Sequence, residues 1–123
     1  MSHLPLVSLT PDDPRVQAMF AEVTKRGLEV PTLYRVIGNA PDMLRAWLDF
    51  AWPLRLNAKT TRRLRELMIL RGAQVSKTAY EWAHHVPMAL AADITQAEID
   101  GISDWRKVAT FAPEERAAIR LAE

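Results

Sequence analysis

The fold of this 123-residue chain is decided by residues 60–92, TTRRLRELMILRGAQVSKTAYEWAHHVPMALAA. From Thr60 to about Ser76 strong helix formers dominate, and the apolar run 67–70 covers more than one face of the helix. This pattern predicts a helix buried at the centre of the fold. A short link near Lys77 leads to a second helical segment from Ala79 to Ala92, and a short link favours an antiparallel helical hairpin.

The predicted hairpin places a carboxylate opposite an imidazole. Glu66 lies eleven residues before Lys77 and His85 eight residues after it, so at about 1.5 Å rise per residue the two differ in height by only ~4 to 5 Å. Glu81 lies four residues before His85, on the same helix face, and is a second candidate partner for the imidazole. A carboxylate in an apolar stretch needs a partner or stays protonated, and both conditions are typical of general acid/base sites.

Outside the hairpin, the sequence predicts an extended N-terminal arm and further helices. Residues 1–12 form the arm, and Asp13 followed by Pro14 predicts an N-cap with proline at the first helical position. Thr95 with Glu98 three positions later is a capping-box signature for a short helix. The helices predicted outside the hairpin cover approximately residues 14–26, 32–37, 41–52, 95–102 and 113–123.

Two prolines lie within predicted helices. Pro53 should end or kink the third helix near Phe50 to Trp52, because the residue before proline disfavours the α region. In the second helix of the hairpin, Pro87 removes one backbone hydrogen bond and clashes with the carbonyl of Ala83. We therefore expect an interruption and a kink at Pro87.

The composition narrows the class of protein. The length allows one domain over residues 1–123, and no strand-like alternation or internal repeat is visible, so the predicted fold is all-α. A net charge of +1 from 16 basic and 15 acidic residues implies neither nucleic acid nor an anionic membrane as a partner. Without cysteine there is no disulfide, thiolate metal site or cysteine nucleophile. With no leader pattern and no apolar run of ~20 residues, we expect a cytoplasmic location.

The hairpin resembles the central hairpin of the carboxymuconolactone decarboxylase family, also called AhpD-like. The resemblance is carried by residues 63–74, RLRELMILRGAQ, and by residues 80–89, YEWAHHVPMA. It extends over about residues 12–104, through similarity to the family's N-terminal helices at positions 30–36, 40, 41, 44 and 47. The family implies an all-α subunit that self-associates, commonly as a trimer or hexamer. Many relatives continue with further helices, so the resemblance also implies a short or truncated C-terminus.

The resemblance also bears on the chemistry. The peroxidase branch of the family carries a Glu, then Cys-x-x-Cys about a dozen residues later, then a His four residues further on. Glu66 and His85 match the outer members, whereas Thr78 and Glu81 stand at the cysteine positions. Neither residue can form the disulfide of the peroxidase cycle, which argues against alkylhydroperoxidase activity. What remains resembles the branch without thiols, which includes the decarboxylase acting on an acidic lactone.

These observations define the predicted site. The proposed catalytic residues are Glu66, Glu81 and His85, and the proposed substrate-binding residues are Tyr80, Trp82 and His84. No cofactor and no metal are predicted, because adjacent histidines diverge on a helix and no His-x-x-x-His spacing exists. His85 could instead be a core histidine bound to a structural carboxylate. An arginine could bind a substrate carboxylate, and the sequence does not choose among Arg55, Arg62, Arg63, Arg65 and Arg71.

Three functions remain open at this stage. The preferred hypothesis is an oligomeric enzyme that uses general acid/base chemistry, either decarboxylation or proton transfer, on a small acidic organic substrate. The alternative is a non-catalytic binding or scaffold protein on the same helical fold. The third is peroxidase activity with some other reductant, which the absence of cysteine disfavours.

Overall fold

The computed structural model describes residues 3–123, which contain seven α-helices, one 3-10 helix and no strand. This confirms the all-α prediction. The first two residues of the predicted arm lie outside the described residues, and residues 3–12 contain neither helix nor strand. The elements are α1 (Pro14–Thr24), α2 (Thr32–Ile37), α3 (Pro41–Leu56), α4 (Arg62–Val75), α5 (Ala79–Leu90), α6 (Gln96–Gly101), the 3-10 helix (Ile102–Lys107) and α7 (Pro113–Leu121).

The chain divides into two compact units, one ending at Ala58 and the other spanning Lys59–Glu123. Each unit has its own cluster of buried apolar side chains. That one domain covers residues 1–123 stays a prediction. Within the described residues, none of the helices combines the length and the apolar content that a bilayer crossing requires.

The N-terminal unit packs α1 against α3. Asp13 caps α1 by accepting a hydrogen bond from the backbone N–H of Arg15, as an N-cap carboxylate should. The arm is tied to α2 because the Arg35 side chain donates to the carbonyl of Val7 at 2.8 Å, and the Val7 N–H donates to the carbonyl of Arg35. The core residues of this unit are Val16, Met19, Phe20, Val23, Tyr34, Leu44, Leu48 and Trp52.

Helix α3 does not end before Pro53, so that part of the prediction is wrong. The helix continues to Leu56, and the carbonyl of Pro53 accepts from the N–H of Asn57 at its C-terminus. Trp52 is buried in the core of the unit, which anchors the last turns of the helix. The tertiary burial outweighs the one backbone hydrogen bond that proline removes.

The C-terminal unit is built around the α4–α5 hairpin, with α7 also packed on α4. Leu67, Leu70 and Ala73 of α4 are buried, in agreement with a central helix. The turn between the two helices uses Lys77 at φ 56°, a left-handed conformation that closes a helix C-terminus. The remaining members of the core are Ala89, Ile94, Ile99, Ile102, Trp105, Phe111 and Ile119.

Helix α5 is not interrupted at Pro87, so the predicted interruption is wrong. It runs from Ala79 through Pro87 to Leu90 and ends two residues earlier than expected. Both Pro87 and Ala83 are exposed, so water can satisfy the carbonyl that loses its helical partner. The helix therefore tolerates the proline on its solvent side.

Helix α6 begins with the predicted capping box. The Thr95 hydroxyl accepts from the N–H of Glu98, and the Glu98 carboxylate accepts from the N–H of Thr95 at 2.9 Å. The same carboxylate is held by both terminal nitrogens of Arg63 and by the Thr110 hydroxyl. Arg63 also donates to Glu115, so one side chain of α4 ties α6 and α7 together.

Candidate functional site

The structure brings Glu66 of α4 and His85 of α5 into direct contact. His85 Nδ1 lies 2.8 Å from Glu66 Oε2, across the two helices of the hairpin. Glu66 is fully buried, whereas 20% of the His85 side chain is exposed. The pair therefore joins a carboxylate shielded from water to an imidazole that a small molecule can approach.

Arg62 completes the cluster on the other oxygen of the carboxylate. It lies four residues before Glu66 on α4, and its Nη2 forms an ion pair with Glu66 Oε1. This ion pair compensates for the burial of Oε1. The same nitrogen lies 3.4 Å from the sulfur of Met88 on α5.

The charges of this cluster determine the tautomer of His85. A carboxylate only accepts hydrogen bonds, so Nδ1 carries the hydrogen and donates it to Glu66. Nε2 is then the ring nitrogen that can exchange a proton with a bound molecule.

The other predicted site residues lie on α5 in different surroundings. Glu81 is exposed, and its carboxylate accepts from the Thr78 hydroxyl at 3.1 Å rather than from His85. The exposed ring of Tyr80 stacks on His84 with a centroid distance of 5.9 Å, and His84 meets His85 edge-on at 5.6 Å. Trp82 is half-buried and packs against the core of the C-terminal unit. Tyr80 and His84 thus continue from His85 toward solvent, and Trp82 faces the core.

Two members of the cluster were not predicted as such from the sequence. Arg62 was one of five arginines that could bind a substrate carboxylate, and Met88 was not among the predicted site residues. The spacing of Arg62 and Glu66, four residues apart on one helix, was an available signal for an ion pair. Met88 follows His85 by three residues on α5, so its side chain lies near the same face.

A cavity lies in the N-terminal unit, which does not contain His85. It has a volume of about 360 Å³ and is lined by the arm, the start of α1 and residues 38, 39 and 41. Its charged lining residues are Asp12, Asp13 and Arg15, and the last two are paired with each other. We favour the cluster at His85 as the functional site, because it contains a fully buried carboxylate against a titratable base.

No metal site is formed by the described part of the chain. Nowhere in residues 3–123 do three or more His, Cys, Asp or Glu side chains converge in a way that could hold an ion.

Among the comparisons with known proteins, the one with family models gives a match. A family model described as the carboxymuconolactone decarboxylase family matches residues 41–123, more than half of the chain, from α3 to the C-terminal residue. No curated protein and no solved structure shows a significant match. The matched segment contains the complete α4–α5 hairpin with Glu66 and His85. On this match, the chain belongs to the carboxymuconolactone decarboxylase family.

Proposed function

We propose that this protein is an enzyme that performs general acid/base chemistry on a small acidic organic substrate, by decarboxylation or by proton transfer. The observation that carries the proposal is the contact of 2.8 Å between Nδ1 of the partly exposed His85 and the fully buried carboxylate of Glu66. A carboxylate that orients an imidazole and sets its tautomer is the arrangement that general base catalysis requires. Family membership supports a reaction of this class.

In this mechanism His85 Nε2 moves the proton. As a base, Nε2 takes a proton from a C–H or O–H of the substrate, and Glu66 stabilises the imidazolium that forms. In a decarboxylation, the bond between the carboxyl carbon and its neighbour breaks and CO2 leaves. The electron pair stays on the substrate carbon, which then receives the proton from the imidazolium form of His85. Glu66 holds the imidazole ring through Nδ1 both when His85 takes a proton and when it gives one.

Substitution of the two central residues tests the proposal. The assay follows CO2 release from acidic lactones and exchange of substrate hydrogen with deuterated solvent. We expect His85→Ala to lower the rate by about 100-fold or more and Glu66→Gln to lower it comparably, since general acid/base catalysis contributes roughly 10²- to 10⁴-fold. His3→Ala removes an imidazole from the arm and serves as the control. Full activity of His85→Ala would refute the mechanism.

The rival function is a non-catalytic binding or scaffold protein. One observation favours it: both oxygens of Glu66 already have partners within the chain, as in a purely structural ion pair. The two functions differ in turnover by variants that stay folded. Activity of the wild type that is lost in His85→Ala supports the enzyme, and absence of turnover by a wild type that binds acidic ligands supports the scaffold. Hydroperoxide turnover by the purified protein would instead support the third function.

We also propose that the chain self-associates, as a trimer or hexamer. The support is a row of exposed apolar side chains on one face of α3, spaced by four, three and four residues: Met43, Trp47, Phe50 and Leu54. Such a row is unusual on a surface that stays in water. We expect Phe50→Glu to dissociate the assembly in light scattering after gel filtration, whereas Leu121→Glu, an exposed leucine of α7, should leave it intact. A monomeric wild type would contradict the proposal.

A further inference from the structure

Three side chains of the C-terminal unit converge as donors on the carboxylate of Glu123. Trp105 donates its indole N–H to Oε1 at 2.9 Å, and Arg71 donates to the same oxygen from Nη2 at 2.6 Å and from Nε at 3.1 Å. Arg106 contacts the other oxygen, with Nη2 3.4 Å from Oε2. Two cations and one neutral donor therefore surround a single carboxylate.

These donors are held in place by contacts that do not involve Glu123. Trp105 belongs to the core of the unit and is only 6% exposed. The guanidinium of Arg106 lies over the Trp105 ring at 4.3 Å, and Nη1 of Arg71 donates to Gln74 on the same helix at 3.0 Å. The arrangement of the donors is thus largely independent of the carboxylate that they bind, as in a preorganised binding site.

Glu123, in contrast, lies outside both the helix and the core. Helix α7 ends at Leu121, whose side chain is 78% exposed, and the buried residue of this helix is Ile119. The backbone N–H of Glu123 donates to the carbonyl of Arg120. Release of the Glu123 side chain therefore exposes little apolar surface, which is typical of the segments of a protein that open most easily.

We propose that Arg71, Trp105 and Arg106 form a binding site for the carboxylate of a small organic acid, and that Glu123 occupies this site until such an acid replaces it. An empty site would leave a buried indole N–H without an acceptor beside two cations, so the donors favour an anion at all times. Exchange of one carboxylate for another keeps these donors paired.

The site favours a carboxylate, and it lies apart from the cluster at His85. Hydrogen bonds from Trp105 and Arg71 lower the pKa of Glu123 to about 2, so the donors stabilise the charged form over the acid. A guanidinium that donates from Nε and Nη2 presents the planar fork that suits a carboxylate. Arg71 follows Glu66 by five residues on α4, so the two side chains point to different sides of the helix. Acid binding at this site therefore does not depend on the proposed function.

The test uses acetate as the probe and acetamide as its uncharged counterpart, with sodium chloride at matched ionic strength. In NMR spectra of the full chain at neutral pH, acetate should move the indole N–H resonance of Trp105, and acetamide should not. We expect Glu123→Ala to bind acetate at least about 10-fold more tightly than the wild type, because the tethered carboxylate no longer competes. Glu114→Ala, which removes an exposed carboxylate from α7, should keep the affinity of the wild type.

A second substitution in the Glu123→Ala protein tests the donors. Arg71→Gln should weaken acetate binding by about 10-fold or more, since it removes the charged fork that holds the carboxylate. If that variant does not fold, Arg106→Gln carries the test, because the Arg106 side chain is 60% exposed and its loss should weaken binding several-fold. No response of Trp105 to acetate in Glu123→Ala, or unchanged affinity after loss of the arginine, overturns the site. Equal affinities of the wild type and Glu123→Ala overturn its occupation by Glu123.

Discussion

Two carboxylates of the C-terminal unit are buried, and they differ in the nature of their partners. Glu98 is surrounded by donors that do not titrate near neutral pH: Arg63, the Thr110 hydroxyl and the N–H of Thr95. Glu66 is instead paired with an arginine that is one-third exposed and with the imidazole of His85, which is one-fifth exposed. Burial of a carboxylate is therefore not sufficient evidence of a functional site. A partner that can exchange a proton, within reach of solvent, is what distinguishes Glu66.

The largest expected effect is a loss of stability when the arginine paired with either buried carboxylate, Arg62 or Arg63, is replaced by methionine. Arg63→Met leaves Glu98 and Glu115 without their cation and should lower the free energy of unfolding by about 3–5 kcal/mol. Arg62→Met should cost less, because His85 can take a proton and again neutralise Glu66. Urea unfolding of both variants measures the difference, and equal losses would contradict the distinction between the two clusters.

The response to acid is the next largest effect, and it belongs to the Glu98 cluster. The hydrogen bond from Arg63, with those from Thr95 and Thr110, lowers the pKa of Glu98 from 4.5 to about 2, against the effect of burial. A carboxyl whose pKa is lower in the folded state stabilises the fold above its unfolded pKa. That stabilisation, about 3 kcal/mol, is lost as the pH falls from about 4.5 to about 2.

Unfolding of the wild type and Glu98→Gln across this pH range measures the contribution of Glu98. We expect Glu98→Gln to be less stable near neutral pH and to lose less of its stability on acidification. Part of the acid response should remain, because hydrogen bonds from Trp105 and Arg71 also lower the pKa of Glu123 to about 2. Parallel pH profiles for the two proteins would show that Glu98 does not contribute to the loss of stability in acid.

The sequence predicted those parts of the fold that depend on local patterns. The height of Glu66 and His85 on the hairpin follows from helix rise alone, and the Thr95 capping box follows from two residues at a fixed spacing. The predictions that Pro53 ends α3 and that Pro87 interrupts α5 were wrong because a local rule was applied where tertiary burial or solvent access supplied the compensation. Arg62 was left unassigned because a row of arginines looks alike in sequence, and only the side-chain contacts distinguish it.

The smallest expected effect concerns Glu81, the second carboxylate that the sequence analysis assigned to the site. Helical spacing allows it to reach His85, but in the structure its carboxylate accepts from the hydroxyl of Thr78, the residue before α5. Glu81 itself lies in the first turn of α5, where an acidic residue also interacts favourably with the helix dipole, typically by about 0.3–1 kcal/mol. We therefore expect Glu81→Gln to change the rate by less than about 3-fold, far below the effect on general acid/base catalysis expected of Glu66→Gln.

The rates of the two variants, with Glu114→Gln of α7 as a control for the loss of an exposed charge, measure this difference. A loss with Glu81→Gln as large as that with Glu66→Gln would mean that Glu81 leaves Thr78 and turns to His85 during the reaction, as the sequence analysis predicted.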